Sequence, residues 1–99
     1  MLDLTPRQIE IVRSILAAHL PGREVWAFGS RVRGCAAQFS DLDLVIITDA
    51  PVDFGLLGRL RDAFSVSDLP FKIDVLDWTT MNADFRARVE EMYEVVQAG

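Results

Sequence analysis

Residues 41–47 read Asp-Leu-Asp-Leu-Val-Ile-Ile, an apolar run with two carboxylates at its head. Leu42 to Ile47 shows no polar alternation, the pattern of a strand covered on both faces. A chain holding such a strand needs helical layers around a sheet, so an α/β architecture is predicted. Residues i and i+2 of a strand point to the same face, which sets Asp41 beside Asp43. Their mutual repulsion is relieved when a cation sits between them. A divalent metal holding a nucleotide phosphate does this well.

The rest of the chain supplies the layers. Thr5-Pro6-Arg7-Gln8 is a helix start, with Thr5 as cap, Pro6 at the first helical position and Gln8 completing a capping box. Ile9, Val12, Ile15 and Leu16 follow at helical spacing, and Pro21-Gly22 ends the helix. Glu24 to Phe28 reads as a strand stopped by Gly29, and Ser30 to Gln38 as a short helix or turn. After the strand Leu42–Ile47, Asp49-Ala50-Pro51 breaks the chain direction. Phe54, Leu57, Leu60, Arg61 and Phe64 then predict an amphipathic helix within residues 52–65. Phe71 to Leu76 reads as a third strand. Phe85, Val89, Met92 and Val96 predict a last helix from Asn82 to Val96. The expected fold is a small mixed sheet of three to four strands flanked by helices.

Bulk properties narrow the function. The 99 residues suit one domain, 1–99, and half of them are apolar, enough for a small core. The net charge of −5 argues against a surface built to hold nucleic acid directly. Cys35 is the only cysteine, so no internal disulfide forms, which fits a reducing compartment. The N-terminal MLDLTPRQIE lacks a signal-peptide pattern, and no apolar stretch approaches the ~20 residues that span a bilayer. These features predict a cytoplasmic protein without membrane contact.

Chemistry concentrates around the two aspartates. Asp74 interrupts the apolar stretch 71–76, where a carboxylate is costly unless it is paired or metal-bound. If the second and third strands are neighbours, Asp74 lies beside Asp43. Three carboxylates at a sheet edge suit two Mg²⁺ ions in an in-line phosphoryl displacement. Gly29-Ser30 follows the first strand. Glycine allows close approach of backbone to phosphate, and the amides after it favour an anion. Ser30 adds a hydroxyl, and Arg31 and Arg33 add guanidinium groups that fit phosphate oxygens.

Gly29-Ser30, ten intervening residues and Asp41-Leu42-Asp43 together resemble the signature of the polymerase-β-like nucleotidyltransferase superfamily. GSRVRG followed by SDLDLVI is similar to its minimal nucleotidyltransferase branch, and the match runs over nearly the whole chain. The resemblance implies the nucleotidyltransferase fold, with Asp41 and Asp43 ligating both metals. Asp74 would ligate the catalytic metal and help activate the acceptor hydroxyl. Gly29, Ser30 and Arg33 would hold the triphosphate of ATP. Many minimal domains of this kind are antitoxins paired with HEPN-domain RNase toxins. They resemble enzymes that transfer AMP from ATP to a tyrosine of the toxin. Neutralisation by docking alone, and transfer to a small molecule, are the alternatives. A homodimer or a heterocomplex would suit the exposed face of so small a sheet.

Other residues have plainer readings. Asp77 competes with Asp74 but has the opposite strand parity, so it is expected to cap or to face solvent. Lys72 is expected at the sheet edge. His19 sits at a helix C-terminus, which gives Cys35 no activating partner there. Trp26 and Phe28 read as core. The last helix reads as core or as a docking face, and Tyr93 is a weak candidate for self-modification.

Overall fold

The computed structural model describes residues 2–37 and 39–99. Gln38, the last residue of the segment read as a short helix or turn, lies outside the described residues. Helix α1 spans Pro6–His19, and its capping box forms as expected: the Thr5 side chain accepts from the Gln8 amide while Gln8 accepts from the Thr5 amide. Pro21 and Gly22, the latter at φ 75°, turn the chain into β1, Glu24–Phe28. Next come α2, Ser30–Arg33, and β2, Leu42–Ile47. Helix α3 covers Phe54–Ser65 and is capped by Asp53, whose side chain accepts from the Leu56 amide. Strand β3 is Ile73–Asp77, and a 3-10 turn at Trp78–Thr80 leads to α4, Ala83–Glu91. The chain ends in β4, Glu94–Gln97.

The strands form one mixed sheet in the order β3-β2-β1-β4. β1 is antiparallel to β2 and to β4, whereas β2 and β3 are parallel. A parallel pair needs a crossover, and α3 provides it. Each sheet face carries its own apolar cluster. On the first, Val12 and Leu16 of α1 and Leu57, Leu60 and Phe64 of α3 pack against Val25, Ala27, Leu42, Leu44, Ile46 and Val75. On the second, Phe28, Val45, Met81 and Val89 are buried, with Trp26, Ile47, Leu76 and Trp78 packed around them. The buried strand thus has cover on both sides, as its lack of polar alternation requires. Phe28 is core, and Trp26 is half-buried at the rim of the second cluster.

The last element departs from expectation. Helix α4 stops at Glu91, and residues 94–97 pair with β1 as an edge strand. Val89 and Val96 have the spacing of one helical stripe, yet they are buried on opposite faces of the sheet. One helix cannot serve both clusters, so burial overrides the periodicity. Tyr93, Val95 and Val96 are also strand formers. Side chains pin the strand: Gln97 donates to the Leu20 and Arg23 carbonyls, and Arg13 donates to the Val96 carbonyl. Two smaller differences occur. Phe54 sits at the start of α3 with 89% exposure and not in its apolar stripe, and β3 begins at Ile73, not Phe71. Among the described residues no helix is long and apolar enough to cross a membrane.

Candidate active site

Asp43 lies in the second position of β2, with a neighbour on each side. Phe28 of β1 is its antiparallel partner and Asp74 of β3 its parallel partner. Residues in register project to one face, so Asp43 and Asp74 both lie on the side of the second cluster, at its end. Asp41 is exposed, two residues before Asp43. Burial first, then the charges of Asp74 and Asp41, push the Asp43 carboxyl up to about 6. None of these three carboxylates forms an ion pair among the described residues.

Gly29 sits on the other flank. Its backbone, at φ 82° and ψ −155°, is in a region essentially reserved for glycine. A Cβ there would collide with the Asp43 carboxylate. The turn into α2 is therefore held directly against the acidic patch. The Val32 and Arg33 amides donate to the Gly29 carbonyl at 3.1 and 3.0 Å, which closes the first turn. Ser30 is half-buried, and neither its hydroxyl nor the exposed Arg33 guanidinium has a partner among the described residues. Donors and positive charge thus stand beside Asp43 on one side, and a second carboxylate stands on the other.

The donor set suits a hard divalent cation, because three carboxylates lacking counter-charges offer oxygen ligands and strain against one another. No three His, Cys, Asp or Glu side chains converge at ligating spacing among the described residues, so the patch is not a closed cage.

The nucleotidyltransferase domain profile matches residues 9–96, almost the entire chain. This chain belongs to the nucleotidyltransferase domain family. A probable protein adenylyltransferase, MntA, of Haemophilus influenzae is 49% identical over 96 residues, which cover 97% of this chain and 84% of that one. Among solved structures, a toxin–antitoxin with AMP-PNP superposes with a TM-score of 0.75 at 17% identity, over 92% of this chain and 73% of that one. A tri-AMPylated Shewanella oneidensis HEPN toxin in complex with MNT antitoxin gives a TM-score of 0.70 at 15% identity, over 94% and 71%. Those two likenesses establish the shared nucleotidyltransferase fold.

In this nucleotidyltransferase Arg31, expected at the phosphate, stands elsewhere. Arg31 is 5% exposed and turned into the protein. Its guanidinium donates to the Ser40 carbonyl at 2.9 Å and the Asp3 carbonyl at 3.0 Å, and it lies 4.0 Å over the Phe71 ring. It fastens the N-terminal segment and the loop before β2 and is not a phosphate contact. The helical step from Arg31 to Arg33 explains the divergence, since residues i and i+2 of a helix do not share a face.

Asp77 caps, as expected, but it is buried and does not face solvent. One carboxylate oxygen accepts from the Thr79 amide and hydroxyl, and the other accepts from the Val52 amide at 2.7 Å. Burial alone would raise its pKa, but these hydrogen bonds, with the charge of Arg23, outweigh it and the pKa is lowered. Lys72 is exposed, just ahead of edge strand β3, and Cys35 is exposed. Arg88 escaped the sequence reading. With Gly29, Arg33, Phe85 and Met92 it lines a small cavity beside the Gly29 turn. Its only signal was one basic residue on a helix already explained by its apolar stripe.

Proposed function

We propose that this chain is a Mg²⁺-dependent nucleotidyltransferase that moves AMP from ATP to a protein hydroxyl. The acceptor is a tyrosine of a cognate HEPN RNase toxin, and the chain acts as the antitoxin, in the cytoplasm, through residues 1–99 as one catalytic domain. The observation that carries this reading is Asp43 in register with Asp74 and in contact distance of the Gly29 turn. A metal side and a phosphate side then meet at one carboxylate. The 49% identity to a probable protein adenylyltransferase supports AMP as the group transferred and protein as the acceptor.

In the reaction, the acceptor oxygen forms a bond to the α-phosphorus of ATP. The bond to the α–β bridging oxygen breaks, pyrophosphate leaves, and the hydroxyl proton passes to solvent. Bound Mg²⁺ supplies Lewis acidity and neutralises charge at the transferring phosphate. Asp41, Asp43 and Asp74 would hold it. Gly29 gives the triphosphate close access to the backbone, while Ser30 and Arg33 donate to its oxygens. Asp74, across the strand pair, would help activate and orient the acceptor hydroxyl.

A protein acceptor also fits the surface. Phe85, Met92, Tyr93 and Val95 are between 39% and 48% exposed, and they cluster where α4 meets β4. Trp26 extends the cluster by stacking on Tyr93 at 3.9 Å. Trp26 projects from the same sheet face as Asp43, so a chain seated there reaches the acidic patch. The same surface favours a second reading, neutralisation by docking alone. Incubation with α-labelled ATP, Mg²⁺ and the neighbouring gene product separates the two. Labelled partner is expected from the wild type and none from Asp41→Asn with Asp43→Asn. Absence of label with the wild type would sink the transferase, and full neutralisation by the double variant would establish docking.

A further inference from the structure

We propose that Arg88 is a second phosphate-binding residue, which with Arg33 grips the pyrophosphate end of the nucleotide; this rests on the transferase reading above. Arg13, Arg31, Arg61 and Arg86 each donate to backbone carbonyls, and Arg7 pairs with Asp68. The guanidiniums of Arg23, Arg33, Arg59 and Arg88 have no hydrogen-bond or ion-pair partner among the described residues, and of these Arg33 and Arg88 line one cavity of about 110 Å³. Gly29 lines it as well.

Two elements converge to make this cavity. Helix α4 buries Val89 in the second cluster and rests Phe85 edge-on against Phe28, with ring centroids 5.8 Å apart. Phe28 is the residue before Gly29, so this contact docks α4 against the turn. Arg88 lies three residues after Phe85 and is carried to the same side. Two like charges facing one small space repel each other, and an anion between them relieves the repulsion. Asp43 meets Gly29 but does not line the cavity, so a metal-bound triphosphate laid across the turn would have its α-phosphate toward Asp43 and its outer phosphates between the two guanidiniums. Planar guanidiniums suit the multiple oxygens of such a tail.

The test is calorimetric titration with inorganic tripolyphosphate plus Mg²⁺, and separately with AMP. Arg88→Ala is expected to weaken tripolyphosphate binding roughly tenfold and to leave AMP binding unchanged. Arg88→Lys, which keeps the charge but not the fork, is expected to fall between Arg88→Ala and the wild type. Arg59→Ala, on the helix covering the opposite sheet face, should match the wild type. Equal tripolyphosphate affinity in Arg88→Ala and the wild type overturns the proposal, as does parallel loss of tripolyphosphate and AMP. Arg88 is exposed, so folding should survive its loss; the Lys variant keeps the comparison open if Ala does not fold. A wild type that binds tripolyphosphate but transfers no AMP sinks the transferase reading and leaves Arg88 as a polyphosphate ligand. A transferase whose KM for ATP is the same in Arg88→Ala sinks this proposal alone.

Discussion

Gly29 and Asp43 are in contact in a way only glycine permits: a Cβ on Gly29 would occupy the place of the Asp43 carboxylate. The positive φ of Gly29 adds a second, independent requirement. Gly29→Ala is therefore expected to cost about 2–4 kcal/mol of stability and most of the transfer activity. The two causes can be separated by a double-mutant cycle. In an Asp43→Ala background the collision is gone, so the cost of Gly29→Ala should fall to the backbone strain, about 1–3 kcal/mol. An undiminished cost in that background would show that the carboxylate contact is irrelevant.

Asp43 also sets a pH dependence. Its carboxyl is raised from 3.8 to about 6 by burial and by the charges of Asp74 and Asp41. Between those values the folded protein binds more protons at this site than the unfolded chain, so stability falls as pH rises from about 4 to about 6. Metal-free protein should thus melt at a lower temperature at pH 7.5 than at pH 5. The carboxyl is only half-buried, so solvent screening limits the effect to the order of 1 kcal/mol. Asp43→Asn should raise the melting temperature at pH 7.5 and flatten this dependence. Mg²⁺ at pH 7.5 should stabilise the wild type and not the variant, because the cation takes over the neutralising role of the proton.

Asp74 and Asp77 are three residues apart on one strand and should respond to truncation in opposite ways. Asp74 has no ion pair among the described residues and repels Asp43, so Asp74→Ala is expected to leave stability equal or higher while abolishing transfer. Asp77 holds the Val52 and Thr79 amides and the Thr79 hydroxyl. Removing it strands buried donors, and Asp77→Ala should cost about 2–4 kcal/mol. Its lowered pKa also means that its contribution is present above 3.8 and is lost as pH falls through the lower folded value. Denaturant melts of the two variants, read beside the label-transfer assay, check both halves. Loss of stability in Asp74→Ala would contradict the electrostatic account.

Much of this architecture is legible in the sequence. The run Leu42–Ile47, apolar except for Asp43, implied two covered faces, and both faces are covered. That Asp74 would lie beside Asp43 followed from pairing of the second and third strands, and Asp43 and Asp74 are in register. Long-range placement was not readable. Val96 kept helical spacing with Val89 although it belongs to the opposite sheet face, and nothing local distinguishes those environments. Arg31 and Arg88 show the same limit from the other side. Both are guanidiniums near a phosphate motif, and only the fold turns one inward and brings the other to the Gly29 turn.

Arg31 and Arg33 give the sharpest separation between holding the fold and holding the nucleotide. Arg31 joins the Asp3 and Ser40 carbonyls beneath the Phe71 ring, and the Asp3 amide in turn donates to the Arg31 carbonyl at 2.7 Å. Arg31→Ala leaves two carbonyls without their donor and opens the space over the ring. A loss of about 2–3 kcal/mol is expected, with little change in ATP affinity for the fraction that remains folded. Arg33→Ala removes an exposed, unpartnered charge. Its stability should stay within about 0.5 kcal/mol of the wild type. Its ATP affinity should fall by roughly tenfold if the guanidinium meets a phosphate oxygen. Thermal melts and a nucleotide titration on both variants suffice. A destabilised Arg33→Ala, or a stable Arg31→Ala that binds ATP poorly, would reverse the two roles.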